Sequence, residues 1–331
     1  MNKTCPNIFE VPPECHIKSI ANPFVWQDIV GTVCVFIAGV FAAGAGIGGG
    51  GLYVPIFIAL QWQKRAIERS LASIAGLTMS VFIRVYSKVD IETVTVIQPV
   101  IMLGAVIGKE INRMMSLELV YVGLFVLLSF VSGRTWYKLC RRKDTSSHID
   151  IPSSHRIRHW VAIWCCWVVV LLIAFFIRQY TTLKILYLFP CAMLWGFGIY
   201  FHRKSIPWTA GNIYWAPVCF AVAGCLAAMF GIGGGMVTSP MLLEIGYASI
   251  AASKITITMS TLTALSVAIQ FLIDEPSAWD YFCWYFCWAF IAGTLGHYIF
   301  KKRQSRFILK LLAIVITVAT FMVFLLMVDW I

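Results

Sequence analysis

The chain has 331 residues, 60% of them hydrophobic and 12% charged, against roughly half and a quarter in soluble domains. That leaves too little polar surface to cover a soluble core, and an aromatic share of 15% excludes a disordered chain. The formal charge of +11 lies in short basic clusters between apolar runs, the pattern of loops facing anionic lipid; the expected partners are a lipid bilayer and no nucleic acid.

In chain order, residues 1–24 read as a polar tail without a signal-peptide pattern. It carries Cys5 and Cys15, which could pair outside the cytosol. Ile29 to Leu60 contains no Asp, Glu, Lys or Arg, and neither does Ser205 to Leu243. Both runs are long for one span of about 20 residues and short for two, and each holds a glycine run at its middle. Plainer spans are expected at Leu71–Tyr86, Val94–Gly108, Leu117–Tyr137, Trp160–Ile177, Leu183–Phe201, Ala252–Ile273, Tyr281–Phe300 and Leu311–Val328.

Charge predicts the orientation. The stretch from Lys138 to His159 carries Lys138, Arg141, Arg142, Lys143, Arg156 and Arg158, and Lys301 to Lys310 is basic without an acid. Both are expected in the cytosol. The acidic loop with Asp274, Glu275 and Asp280 is expected outside, as is Lys109–Ser116. The other cysteines mostly fall in apolar runs, where a free thiol behaves as a small hydrophobe. No CxxC spacing is present, so neither a zinc site nor a redox motif is expected, and no cofactor or metal is expected.

Two segments repeat. Gly46-Ile-Gly48-Gly49-Gly50-Gly51-Leu-Tyr-Val-Pro55 matches Gly231-Ile-Gly233-Gly234-Gly235-Met-Val-Thr-Ser-Pro240. The next helix repeats Ser73-x4-Thr78-Met-Ser80 as Ser253-x4-Thr258-Met-Ser260, and Gly104-x3-Gly108 matches Ala292-x3-Gly296. Three matches in order point to an internal duplication. By the charge pattern, the ends of the two third helices face opposite sides, which is the inverted-repeat arrangement of many transporters. The expected fold is therefore an all-α transmembrane bundle of two inverted repeats, each with a glycine-broken helix. Repeat one spans 25–140, a basic linker with two additional spans 141–210, and repeat two 211–331.

Each internal glycine costs a helix about 1 kcal/mol relative to Ala, so the runs predict unwinding. Ser239-Pro240 reads as an N-cap followed by Pro at the first helical position, with Val54-Pro55 equivalent but uncapped. Such breaks expose backbone N–H groups at the positive end of a helix, which suits a small anion. The candidate substrate-binding residues are Gly48, Gly49, Gly50, Gly51, Pro55, Gly233, Gly234, Gly235 and Pro240, with the hydroxyls of Ser73, Thr78, Ser80, Ser253, Thr258 and Ser260. Arg84, one turn after Ser80, and Lys254, beside Ser253, are candidate cations. Gly104 and Gly108 read as helix-packing glycines. A dinucleotide reading of Gly46-x-Gly48-x-x-Gly51 fails for want of a preceding strand. For proton or ion coupling the candidates are His297 and Glu244, because no carboxylate lies deep in an apolar run.

These glycine–proline segments resemble the TauE/SafE family of sulfite exporters. The resemblance implies a transmembrane carrier of sulfite, organosulfonates or related small sulfur-containing anions. It implies motif positions at Gly48, Gly49, Gly50, Pro55, Gly233, Gly234, Gly235 and Pro240. The basic linker and the additional spans depart from the family's compact pattern. Two alternatives stay open: a membrane-embedded enzyme, for which Cys283 and Cys287 with His297 are the clustered candidates, and a scaffolding membrane protein without transport activity.

Overall fold

The computed structural model describes residues 26–45, 49–60, 65–141, 156–176, 191–196, 210–247, 249–274, 279–300 and 305–328. Among these residues all regular structure is helical. The helices are α1 (Trp26–Ala45), α2 (Gly50–Ala59), α3 (Ala66–Val85), α4 (Ile91–Met114), α5 (Leu117–Arg141) and α6 (Arg156–Phe176). They continue as α7 (Ala210–Met229), α8 (Gly235–Ile245), α9 (Ser249–Asp274), α10 (Trp279–Phe300) and α11 (Ser305–Val328). The polar tail, with Cys5 and Cys15, and most of the expected span Leu183–Phe201 lie outside the described residues.

Among the described residues five helices are long and apolar enough to cross a bilayer: Trp26–Gly44, Ala66–Lys88, Ile91–Met114, Glu118–Tyr137 and Ala251–Ile273. The surface agrees with a lipid solvent. Ile29, Val33 and Ile37 on α1, Val122, Val126 and Phe130 on α5, and Ile314, Val318 and Phe321 on α11 are all exposed at helical spacing. Water would not tolerate continuous apolar stripes of that length on a monomer. Four cysteines expected to be buried in apolar runs instead face outward: Cys165, Cys219, Cys283 and Cys287 are exposed. A thiol is apolar enough to meet lipid directly.

The core is built by helices that pair across the two halves of the chain. α1 runs alongside α10, with Thr32 at Trp284, Phe36 at Trp288 and Gly39 against Ala292. α7 runs alongside α4 in the same way: Gly104 lies on the Ala221 carbonyl, Gly108 on that of Cys225, and Gly224 on that of Ile101. α3 follows α10, with Gly76 on the Phe286 carbonyl and Gly293 against Leu77 and Ser80. In each pair small residues let the backbones approach closely, the way apolar helices associate in lipid. Gly104, Gly108, Ala292 and Gly296 are thus packing residues, as their spacing predicts.

These contacts fix directions. α1, α3 and α10 begin at one end of the bundle, called here the lower end. α4 and α9 finish there, since Phe271 of α9 meets Lys109 of α4 and shares a cavity with Arg65 and Arg69 of α3. The C-terminal ends of α4 and α10 therefore lie at opposite ends of the molecule. α5 and α11 pack antiparallel through Ser132 with Thr317 and Phe125 with Phe324, so α5 finishes at the upper end, where α10 also finishes.

The helix after each glycine run packs back along the helix before it. α2 returns along α1: Gly49 packs on Ala42, Tyr53 reaches Gly39, and the Phe57 ring meets Tyr285 at 4.9 Å between centroids. α8 likewise returns along α7, and the link after it carries Tyr247 back to Thr93 at the start of α4. There the Asp90 side chain caps α4 by accepting from the Thr93 N–H at 3.4 Å, and the Thr93 hydroxyl donates to Asp90 at 2.7 Å. Burial pushes the Tyr247 phenol above its usual range, so it stays protonated and donates to Thr93 Oγ1 at 2.6 Å.

Candidate functional site

The restarting helices begin earlier than the sequence suggests. α2 starts at Gly50 and α8 at Gly235, so Pro55 and Pro240 are inside their helices and Ser239 is not the N-cap. The caps are Gly49 (φ 71°) and Gly234 (φ 69°), and neither has a side-chain capping bond. A left-handed backbone turn does what a capping hydroxyl would have done, and only glycine adopts it without strain. Leu52 and Tyr53 donate to the Gly49 carbonyl at 3.0 and 3.3 Å, and Val237 and Thr238 to that of Gly234 at 3.1 and 3.0 Å. The prolines are tolerated because each removes only one intrahelical donor, leaving the carbonyls of Gly51 and Met236 without their i+4 partner.

The two turns touch. A Cβ on Gly50 would fall inside the van der Waals surface of the Ile232 carbonyl, and one on Gly51 would meet the Met236 thioether. Gly51 also faces Leu128 of α5. The second turn rests on α3: Gly231 packs on Ile67, Gly233 on Ile74, and the Ser70 hydroxyl donates to the Gly231 carbonyl at 2.7 Å. Gly49, Gly50, Gly51, Gly233, Gly234 and Gly235 are therefore together at the meeting point of two hairpin tips; Gly48 lies outside the described residues. The first-turn N–H groups of a helix have no acceptor within the helix itself. In α8 one of them, on Gly235, donates to the Gly233 carbonyl at 2.7 Å.

The hydroxyl helices are α3 and α9, which pack on each other beside the tips. Ser73 donates to the Arg69 carbonyl at 2.9 Å, Thr78 to Ile74 at 2.7 Å, Ser80 to Leu77 at 2.7 Å and Thr258 to Lys254 at 3.0 Å. Such back-bonds to the own helix are the default for Ser and Thr in apolar surroundings. Ser80 points at Gly293 of α10 and away from the tips. The Ser260 hydroxyl is buried with no hydrogen-bond partner among the described residues, as is Thr256 one turn earlier. Ser253 and Lys254 are half-buried near the upper end. Arg84 is exposed there, donating to the Ser80 carbonyl and, at 3.2 Å, to Thr294 of α10.

Two residues escape a sequence reading. Ser70 makes the direct side-chain bond to a glycine turn, yet its counterpart in the second half is apolar, so the duplication does not flag it. Asp28 opens an apolar run and reads as an interfacial acid. In the structure it is fully buried and accepts from Tyr281 at 3.3 Å, so a carboxylate does lie inside the bundle. Among the described residues no group of three or more His, Cys, Asp or Glu is placed to hold a metal ion.

An apolar exterior, membrane-length helices and two glycine hairpins meeting inside the bundle define a multi-pass integral membrane protein of the transporter class. The chain belongs to the sulfite exporter TauE/SafE family, whose model matches residues 32–203 and 216–329. It is 25% identical to Sulfite exporter TauE/SafE family protein 1 of Arabidopsis thaliana, over 84% of this chain and 78% of that protein. Family protein 3 of the same plant is 23% identical, over 84% of this chain and 73% of its own length. No solved structure matches.

Proposed function

We propose that this transporter carries a small sulfur-containing oxyanion, with sulfite or a small organosulfonate as the leading substrates, by alternating access. The anion is held by backbone N–H groups at the two glycine tips. The observation that carries this reading is the contact of Gly50 with the Ile232 carbonyl, which brings two helix N-termini into one place. Paired helix N-termini attract an anion without a fixed charge in the bilayer. The relatives' printed names, which call them sulfite exporter family proteins, support the substrate class.

The two halves are read as inverted repeats. In support, α1–α10 and α7–α4 are equivalent pairs, the caps Gly49 and Gly234 both have a positive φ near 70°, and the third helices end on opposite sides. Rocking of one repeat against the other would part the tips. The upper end, into which the basic stretches 138–159 and 301–310 lead, faces the cytosol. Arg84 and Lys254 stand at that end and draw the anion inward. The hydroxyls of Ser73, Thr78, Ser80, Ser253, Thr258 and Ser260 serve it as it passes, exchanging intrahelical carbonyls for the anion where they now hold them. Pro55 and Pro240 keep the two return helices short of a full carbonyl ladder.

Flux through purified protein in liposomes tests this, with sulfite, sulfate, chloride and a small sulfonate compared under an imposed proton gradient. Selective flux of a sulfur oxyanion is expected. No flux of any anion through folded protein would return the scaffold and enzyme alternatives.

A further inference from the structure

A polar seam lies between the two halves of the chain, where α4 meets α9. On α9, Thr256, Ser260 and Thr263 follow one another at spacings of four and three, so they share a face of the helix. All three are buried. On α4, Gln98 is 1% exposed and donates through Nε2 to the Thr263 hydroxyl at 3.2 Å. Gln98 and Thr263 stand well inside their helices, Ile91–Met114 and Ser249–Asp274. Gln98 Oε1, Thr256 Oγ1 and Ser260 Oγ are buried with no hydrogen-bond partner among the described residues. One turn further along α9 the seam continues in Ser266, which is buried and accepts from Gln270 at 3.3 Å.

A hydroxyl in an apolar helix ordinarily donates to the carbonyl one turn back, as Thr78, Thr258 and Thr261 do here. Thr256 and Ser260 forgo that bond. Buried polar groups left unpaired are costly, and in a native fold they call for a ligand or water as partner. The four side chains of the seam carry no charge, so what they offer is hydrogen bonds. Gln98 and Thr263 can trade roles: with the amide turned over, Thr263 donates to Oε1 and Nε2 presents two N–H groups to the seam. The set is then donors throughout, which suits an oxyanion. From Thr256 to Thr263 the row is about 10 Å long at the helical rise. That is too long to close around one cation, and it lets a ligand pass from hydroxyl to hydroxyl. α4 belongs to the first repeat and α9 to the second, and the interface between repeats is where transporters place their substrate. The seam is closed here and opens as α4 and α9 part.

We propose that Gln98 of α4 and the hydroxyls of Thr256, Ser260 and Thr263 of α9 form a binding seam for the transported oxyanion, with Gln98 as its charge-selecting residue. This rests on the transport reading above for its role, and it adds three residues that the duplicated motifs do not contain. With Ser73 set against Ser253, Thr256 and Thr263 fall opposite Gly76 and Ile83, so the repeat does not mark them.

The test uses full-length protein in liposomes, with sulfite as the probe, and reads half-saturating concentration, maximal flux and Tm for each variant. Thr256→Val keeps the shape and removes an unpaired hydroxyl. Its Tm should be unchanged or higher, while its half-saturating concentration rises about tenfold, the loss of one hydrogen bond to a charged ligand. Thr263→Val should shift saturation in the same direction. A merely structural hydroxyl would lower Tm and leave saturation unmoved. Gln98→Glu, nearly the same in shape, should cut flux at least about tenfold relative to wild type at about pH 8, with part recovered at about pH 6 as the buried carboxyl takes up a proton. If Gln98→Glu does not fold, the two valine variants decide. Wild-type saturation in both valine variants would overturn the seam. So would undiminished flux in folded Gln98→Glu, which would mark a path for cations or water. Either result beside normal wild-type flux leaves the transport reading standing. Thermal stabilisation of the detergent-solubilised protein by sulfite is measured in parallel. If wild type transports nothing yet is stabilised, and Thr256→Val loses that stabilisation, the seam stands as a binding site and the transport reading falls. If the stabilisation survives in Thr256→Val, or wild type shows neither flux nor stabilisation, both fall.

Discussion

Gly50 lies directly against the carbonyl of Ile232, so the tip of one glycine hairpin is seated on the other with no space for a single methyl group. Backbone on one side and helix start on the other leave nothing flexible to give way. Gly50→Ala should therefore reduce flux by at least about tenfold, a penalty of 1.4 kcal/mol in the transport barrier being sufficient, while membrane insertion is retained. Flux and the amount of inserted protein, measured on the same preparation, check it.

The caps should behave differently. Gly234 has φ 69° and only the Ala227 methyl nearby, at 3.6 Å from an added Cβ. Gly234→Ala then meets backbone strain alone, costing about 1–2 kcal/mol, and Gly234→Asn should recover part of it because Asn tolerates that conformation. A β-branched residue fits neither turn, so Gly49→Val and Gly234→Val should abolish transport with insertion intact. Thermal denaturation of the four variants gives the order; equal losses for Ala and Val at 234 would contradict it.

Ser70 and Ser260 should respond with opposite signs. Ser70 donates to the Gly231 carbonyl, and Ser70→Ala should cost about 1 kcal/mol of stability. Ser260 has a buried hydroxyl without a partner among the described residues. Ser260→Ala should therefore leave stability unchanged or slightly higher while weakening half-saturation by the anion. The two Tm values together with the two saturation curves distinguish them.

Much of this was legible in the sequence because membrane proteins write their packing in small residues. Gly104-x3-Gly108 and Ala292-x3-Gly296 predict close helix pairs, and both lie on a neighbour's backbone. The paired glycine runs mark the meeting point. What the sequence could not convey was direction: a run of glycines says that the helix stops, not that the next one doubles back. Pro240 illustrates the limit. It follows a serine and imitates an N-cap pair, yet the helix already starts at Gly235, because a left-handed glycine turn satisfies the chain before the serine is reached. Asp28 and Arg69 were hidden for a related reason. They sit 41 positions apart in sequence, and only the packing of α1 and α3 around Tyr281 brings them together.

Gly133 is a useful contrast to Gly50. It lies inside α5 with nothing within 4 Å of an added Cβ. Gly133→Ala should raise Tm by roughly 2 °C through helix propensity alone and leave flux unchanged. A loss of flux there would mean that transport responds to glycine content at large and not to the tips.

The most direct measurement of the central claim compares sulfite flux through Gly50→Ala and Gly133→Ala beside wild type, in one liposome preparation with matched protein content. If the meeting of the tips is the anion pathway, Gly50→Ala loses flux and Gly133→Ala keeps it. Wild-type flux in Gly50→Ala would contradict the account.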